Sequence, residues 1–212
     1  MKNILNQIER KIGRNYIPDM VKYLTFAMLG VFVLDMLPVR SATALLYFNR
    51  ALVLKGQVWR AVTYMVLPTG YTLLSVLINL YFFYLIGTAL ERSWGGARLT
   101  VYFLLGYVVT LAAGFAMGVT TNAYFYYSFL LCYAMMNPHQ EIMLFFVLPV
   151  KMKWIGLAEA AVLIYTFVTS TIAYKVVLLC SLIPFFLFFG KELWLETRMA
   201  WRRLKYRINQ YR

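Results

Sequence analysis

The chain has 212 residues, of which 62% are hydrophobic and 14% charged, and its formal net charge is +13 at pH 7. A soluble domain is rarely more than about half apolar, so this composition excludes an ordinary soluble enzyme and predicts one membrane domain. The basic residues lie beside apolar runs, as they do at membrane flanks, which argues against nucleic-acid binding. One histidine and two distant cysteines give no metal-ligand spacing, and no metal or cofactor is predicted.

Six apolar segments are candidates for membrane-spanning helices, because a span needs roughly 20 predominantly apolar residues and lipid offers no partner to an unpaired backbone group. The fourth segment is short. The sequence therefore predicts an all-α, polytopic membrane protein whose six-helix bundle occupies residues 21–190. The segments run from about Lys22 to Pro38, Tyr71 to Leu90, Leu99 to Val119, Ala123 to Met136, Trp154 to Thr169 and Ala173 to Phe189.

Two basic segments flank this predicted membrane domain. Residues 1–20 place Ile4, Leu5, Ile8 and Ile12 at helical spacing, which predicts an amphipathic segment in the headgroup layer or, alternatively, a helix that binds a partner protein. Residues 191–212 form a basic tail. Lysines and arginines are concentrated in the segments that face the cytoplasm when both termini are cytoplasmic, and this orientation is therefore predicted.

The loop between the first two predicted spans, residues 39–70, is long, apolar and aromatic. Aromatic side chains favour the membrane–water boundary, so loop 39–70 is expected to lie at the outer interface. Within it, Trp59 suits that boundary, and Arg60 has the rigid fork that pairs with backbone carbonyls in a folded loop. The simpler alternative is an ordinary interfacial tryptophan beside an arginine that reaches toward water.

Three strings of the sequence resemble parts of the rhomboid superfamily, which holds intramembrane serine proteases and inactive relatives such as the derlins. The first resembles the Trp-Arg pair that anchors a loop between the first two spans. The second resembles the Gly-x-x-x-Glu turn and adds a derlin-like Trp-Gly. The third resembles a stretch between spans four and five of bacterial relatives, and it implies a bacterial plasma membrane. The strings are Gly56 to Thr63 with Trp59-Arg60, Gly87-x-x-Leu90-Glu91-x-x-Trp94-Gly95, and Leu144 to Trp154 with Pro149.

The resemblance assigns scaffold roles to polar residues of the second span and the turn after it. Glu91 is expected to accept hydrogen bonds from the start of the next helix, with Arg98 as a candidate partner across the turn. Asn79 lies twelve residues before Glu91 in the same segment. Active rhomboids use an asparagine at this place to help hold an oxyanion. Asn79 is equally suited to a hydrogen bond between helices within the bilayer.

The residues that cut a peptide bond in active rhomboids are absent at the matching positions. Those enzymes carry Gly-x-Ser-Gly at the start of the fourth span, a histidine one helical turn before the asparagine, and another histidine in the sixth span. Here Ala123 stands at the serine position, Ser75 at the first histidine position, and an apolar stretch near Val177 at the second. Alanine carries no oxygen or sulfur nucleophile, so no catalytic residue is predicted.

We therefore expect a rhomboid-like pseudoprotease that binds membrane clients, either transmembrane helices or lipids, without cleaving them. The alternative is an active intramembrane protease that uses another nucleophile, either Ser128 or Cys132. Glu159 lies within the fifth span, and an acid inside a membrane span is by default a candidate functional residue. The simpler explanation for its presence is an ion pair with Lys153. The sequence identifies neither the client nor the oligomeric state.

Overall fold

The computed structural model describes residues 16–37, 41–70, 72–144 and 148–210, and it describes only the backbone of residues 144, 148, 191–193 and 195–210. These ranges form nine α-helices, a 3₁₀ turn and one β-hairpin. The helices are α1 (Met20–Met36), α2 (Ala42–Leu46), α3 (Arg50–Leu54), α4 (Arg60–Thr63), α5 (Leu73–Trp94), α6 (Gly96–Met117), α7 (Ala123–Met136), α8 (Met152–Thr169) and α9 (Ile172–Gln210). The 3₁₀ turn is Tyr64–Val66, and the strands are β1 (Glu141–Leu144) and β2 (Leu148–Lys151).

Four of these helices are long and apolar enough to cross a membrane: α5, α6, α8 and the part of α9 from Ile172 to Gly190. The prediction of a helical, polytopic membrane protein is thus confirmed. Helix α1 has 17 residues and α7 has 14. At a rise of about 1.5 Å per residue, α7 extends only about 21 Å, against about 30 Å of hydrocarbon. The count of six spans stays a prediction.

The long helices alternate in direction because the links between them are short. Gly95 alone separates α5 from α6, and residues 118–122 join α6 to α7. Helix α7 packs against α5, α8 and α9, while α6 packs against α9 and α1 packs against α5. The starts of α5, α7 and α9 consequently lie at one end of the bundle, and the hairpin lies at the other end.

One short β-hairpin, which the sequence did not predict, joins α7 to α8 in this otherwise helical protein. Strands β1 and β2 pair antiparallel, with Glu141 opposite Lys151 and Met143 opposite Pro149. Proline removes a backbone donor and breaks a helix, and a two-stranded hairpin tolerates it because each strand has a free edge. The Met152 N–H donates to the Gln140 carbonyl at 2.8 Å. The hairpin thus brings the start of α8 close to the end of α7.

Loop 39–70 is folded over its described residues 41–70, where α2, α3, α4 and the 3₁₀ turn follow one another. Asp35 at the end of α1 accepts hydrogen bonds from the Thr43 amide at 3.0 Å and from the Thr43 hydroxyl, which fixes α2. Phe48 and Tyr64 of this loop are 3% and 1% exposed, whereas Leu54 is 74% exposed. Some of the apolar residues of loop 39–70 that were expected at the membrane–water interface are therefore buried in the protein core.

The predicted division into segments 1–20, 21–190 and 191–212 stays a prediction. Residues 1–15, which carry the expected amphipathic pattern, lie outside the described residues, as do residues 38–40, 71, 145–147 and 211–212. Residues 191–210 continue helix α9 without a break. The basic tail therefore begins as an extension of the last apolar helix.

Candidate functional site

Arg60 is buried inside loop 39–70, with 4% of its surface exposed. Its Nη1 donates to the Ala44 carbonyl at 3.1 Å and to the Tyr47 carbonyl at 3.0 Å, and its Nε donates to Gln57 Oε1 at 2.6 Å. The neighbouring Trp59 is exposed and donates its indole N–H to a carbonyl of α2. A short helix leaves its last carbonyls without partners, and Arg60 supplies donors to the end of α2.

The turn between α5 and α6 depends on Gly95, whose φ of +83° lies in the region that favours glycine. The Gly95 N–H donates to the Glu91 carbonyl at 2.9 Å. Trp94 donates its indole N–H to Met136 Sδ at 2.8 Å, and its ring stacks on Phe188 with centroids 5.6 Å apart. Trp94 therefore connects this turn to α7 and α9.

The other residues of the scaffold prediction lie near this turn and at the hairpin. Glu91 and Arg98 are half-buried on the two sides of Gly95. Gly87 is buried in α5 at the contact with α1, where a Cβ atom would lie 2.5 Å from Val21 Cγ1. Pro149 lies in β2, at the same end of the bundle as the turn.

The three positions matched to catalytic residues lie at the end of the bundle opposite this turn. Ser75 belongs to the first turn of α5 and forms a capping box with Thr72, to whose carbonyl its hydroxyl donates at 2.8 Å. Ala123 is the first residue of α7. Val177 is fully buried near the start of α9. Ala123 and Val177 carry neither a nucleophile nor a base, and the Ser75 hydroxyl caps α5.

Asn122, beside Ala123, is a structural anchor that the sequence analysis missed. Its side chain is buried and donates from Nδ2 to the Met65 carbonyl at 3.2 Å and to the Leu67 carbonyl at 2.7 Å. Tyr126, one turn later, also donates its hydroxyl to the Met65 carbonyl. The end of loop 39–70 is thereby held against the start of α7, in the region that the serine occupies in active rhomboids.

Tyr64 of loop 39–70 makes a second attachment to the bundle. Its hydroxyl donates to the Tyr107 carbonyl at 3.3 Å and lies 2.8 Å from Thr110 Oγ1. Burial raises the pKa of the Tyr64 phenol, so the group stays a neutral donor. Loop 39–70 is therefore fixed to α6 as well as to α7.

The two alternative nucleophiles, Ser128 and Cys132, lie on one face of α7 and share a partner. The Tyr102 hydroxyl lies 2.7 Å from Ser128 Oγ and 3.3 Å from Cys132 Sγ, and all three residues are fully buried. Ser128 Oγ also donates to the Phe125 carbonyl at 2.5 Å. A general base must lie within hydrogen-bond reach, and these contacts of the two residues include no histidine or carboxylate.

His139 is exposed in the turn between α7 and β1, at the hairpin end of the bundle. The start of α7, where the serine position lies, is at the other end. Within the described ranges, no group of three histidine, cysteine, aspartate or glutamate side chains is arranged to hold a metal ion.

A small cavity of about 80 Å³ with a mostly apolar lining lies among α1, α5, α7 and α8. Asn79 and Glu159 line it, together with Thr69 and aromatic residues of α5 and α7. Asn79 donates from Nδ2 to the Thr69 carbonyl at 2.8 Å. Glu159 Oε1 is buried and has no hydrogen-bond partner. This cavity brings together the two intramembrane polar residues that the sequence analysis treated separately.

A larger groove of about 470 Å³ lies between α7, α8 and α9. Its walls are apolar, with Leu157, Leu163 and Phe186 among its lining residues, and Lys153 lies at its hairpin end. The Lys153 ammonium sits 5.1 Å from the centre of the Trp154 ring. The groove therefore has apolar walls and a positively charged side chain at one end.

The family model of the Der1-like family matches residues 17–172 of the chain. This match covers the helices that form the cavity, loop 39–70 and the hairpin. The Der1-like family lies within the rhomboid-like superfamily, and its members are generally catalytically inactive relatives of the rhomboid proteases. A comparison with curated proteins finds no match. The matched residues extend from just before α1 to the start of α9, which is most of the chain. The chain therefore belongs to the Der1-like family of the rhomboid-like superfamily.

Proposed function

We propose that this protein is a proteolytically inactive, rhomboid-like membrane protein that binds the transmembrane helices of client proteins without cleaving them. The observation that carries the proposal is the cavity beside Asn79 and Glu159. Polar and acidic groups inside a membrane are costly, and by default they mark a functional site. The matched catalytic positions meanwhile hold Ser75, Ala123 and Val177.

A client helix that carries a polar side chain gains from such a cavity, because lipid cannot bond to that side chain and a protein can. Helix α7 adds to this effect. Its 14 residues are too few to span an undistorted bilayer. A short span thins the surrounding bilayer, which favours the approach of short or weakly apolar client helices.

The membrane setting completes the proposal. The protein has six spans, with α1 and α7 as the short ones, and both termini face the cytoplasm of a bacterial plasma membrane. The placement of lysines and arginines along the sequence supports this orientation, and the resemblance of the stretch from Leu144 to Trp154 to bacterial relatives supports the choice of membrane. The hairpin then lies on the cytoplasmic side, and loop 39–70 lies on the outer side.

The test of inactivity uses purified protein in sealed vesicles, treated with a fluorophosphonate probe and with a reporter protein that has one transmembrane helix. Neither covalent labelling nor reporter cleavage is expected, while an active intramembrane serine protease run in parallel gives both. Labelling or cleavage that disappears in Ser128→Ala or Cys132→Ala would establish the protease alternative.

Protease added to inside-out vesicles should remove both termini, and protection of either one contradicts the proposed orientation.

Client binding is tested by photo-crosslinking in living cells. A photoreactive residue at Leu130, which lines the cavity, should capture proteins that contain transmembrane helices. The matched control is the same residue at Leu104, which is 50% exposed on α6 and does not line the cavity. Equal capture from the two positions would reflect chance encounters in the membrane and would count against a client site.

Lipid is a second candidate partner, favoured by the groove beside Lys153. The α8 wall of this groove runs from Lys153 to Ile164, which is about 17 Å of helix and close to the roughly 15 Å of one hydrocarbon leaflet. An acyl chain therefore fits along the wall with an anionic headgroup at the lysine.

Lys153→Gln is expected to weaken binding of spin-labelled phosphatidylglycerol about fivefold, since one lysine near a headgroup contributes about 1 kcal/mol. Lys175→Gln is the matched control, because the Lys175 ammonium also lies over an aromatic ring, that of Phe167 at 5.7 Å, but at the other end of the membrane domain. The lipid site is contradicted if phosphatidylcholine binds equally well or if the two variants behave alike.

A further inference from the structure

Glu159 is an acid within a candidate membrane span, and one of its carboxylate oxygens has no partner among the described residues. Its Oε1 atom is buried without a hydrogen bond. Lys22 pairs with Asp19, and the ammonium of Lys153 lies over the Trp154 ring instead of beside the Glu159 carboxylate. A carboxylate with a buried, unpaired oxygen is destabilised or changes its protonation, so a partner from outside would relieve a penalty.

The cavity beside Glu159 contains hydrogen-bond acceptors that a ligand could use. The Asn79 amide already donates to Thr69, which leaves its carbonyl oxygen as an acceptor. The Tyr126 hydroxyl already donates to the Met65 carbonyl. The lining contains no lysine or arginine among the described residues. A group that brings donors suits these acceptors, and a cation also compensates the carboxylate.

The size and position of the cavity limit how such a group can arrive. A water molecule needs roughly 10–15 Å³ of such a volume, so the cavity has room for several small groups, enough for an ammonium or a guanidinium. Helix α8, which carries Glu159, is the least buried of the four candidate spans, with 17% of its window inside the protein. The cavity thus lies beside a helix that faces lipid, where another transmembrane helix can approach.

We infer that the cavity beside Glu159 and Asn79 receives a lysine or arginine side chain from the transmembrane helix of a client. The inference rests on the proposed function, because it names the chemistry by which the client is selected. A basic residue in the middle of a span is itself costly in lipid, and pairing it with Glu159 removes the penalty from both partners. Recognition of this kind selects helices that are poorly anchored in a bilayer.

The experiment measures binding in vesicles by energy transfer between the labelled full-length protein and a labelled leucine-rich transmembrane peptide. One peptide carries a central lysine and the other a central methionine of similar length. The wild-type protein should bind the lysine peptide about tenfold more tightly than the methionine peptide, as expected for a polar contact of 1–2 kcal/mol in a bilayer. Glu159→Gln should bring the two affinities together, because it keeps the shape of the side chain and removes its charge.

Two further variants separate charge recognition from damage to the fold. Glu141→Gln changes an exposed acid of β1 and should leave the preference for lysine intact. Glu159→Lys should reverse the preference, so that a peptide with a central glutamate binds better than the lysine peptide. Equal binding of the lysine and methionine peptides by the wild type overturns the inference and leaves helix binding in place. Failure of both peptides to bind overturns the inference and the proposed function together.

Discussion

Arg60→Ala is expected to lower the free energy of unfolding by about 2–4 kcal/mol, which is among the largest effects available to one substitution here. The guanidinium is 4% exposed and donates to the carbonyls of Ala44 and Tyr47. Removing it leaves buried carbonyls without a charged donor and opens the space that the side chain filled. Because α2 depends on these bonds, loop 39–70 should lose its fixed position before the bundle unfolds.

The measurement is denaturation of the detergent-solubilised protein, combined with limited proteolysis to detect opening of loop 39–70. Lys55→Gln is the matched control, since it removes a positive charge from an exposed position of the same loop. Arg60→Lys should recover only part of the loss, because a lysine lacks the planar fork that reaches two carbonyls. Equal stability of Arg60→Ala and Lys55→Gln would contradict the anchoring role.

The long helices were predictable because apolar length is a strong and local signal. The segment from Ala123 to Met136 has the bounds that the sequence indicated, and α8 differs from its prediction by two residues at its start. The hairpin was not predictable in the same way. Its strands have four residues each and contain Pro149, so no alternating pattern of useful length distinguishes them from a connecting loop.

The candidate site was less predictable, since its contacts join residues far apart in the chain. Asn122 binds carbonyls 55 and 57 residues away, and Tyr102 is 26 residues from Ser128. The sequence marked Ser128 and Cys132 as alternative nucleophiles, but the burial of both against one tyrosine depends on how α6 meets α7. Local patterns identify polar residues in a span, and only packing determines what surrounds them.

Glu159 illustrates the same limit on a single helix. The sequence suggested pairing with Lys153, which lies six residues earlier. At about 100° per residue, that separation places the two side chains about 120° apart around the helix, so they face different neighbours. Lys153 accordingly lines the groove toward α9, while Glu159 lines the cavity with Asn79. A helical projection predicts the separation, but it does not predict that a cavity exists.

Gly87→Val is expected to lower the free energy of unfolding by about 3 kcal/mol, because added methyl groups overpack a helix contact that has no free space. A Cβ atom at Gly87 would lie 2.5 Å from Val21 Cγ1 and 2.9 Å from Val21 Cγ2. The contact holds α1 against α5, and both helices line the cavity. The substitution should therefore also weaken binding of the lysine peptide, while Glu159 itself is unchanged.

A double-mutant cycle distinguishes overpacking from a general effect of replacing glycine. Gly87→Ala should destabilise by about 1–2 kcal/mol despite the better helix propensity of alanine, whereas Gly30→Ala in α1 should not destabilise, since nothing lies within 4 Å of its added Cβ. Adding Val21→Ala to Gly87→Ala removes the two atoms that clash, so the pair should lose less stability than the sum of the single changes. Additive losses would contradict a direct clash between residues 87 and 21 as the cause of the destabilisation.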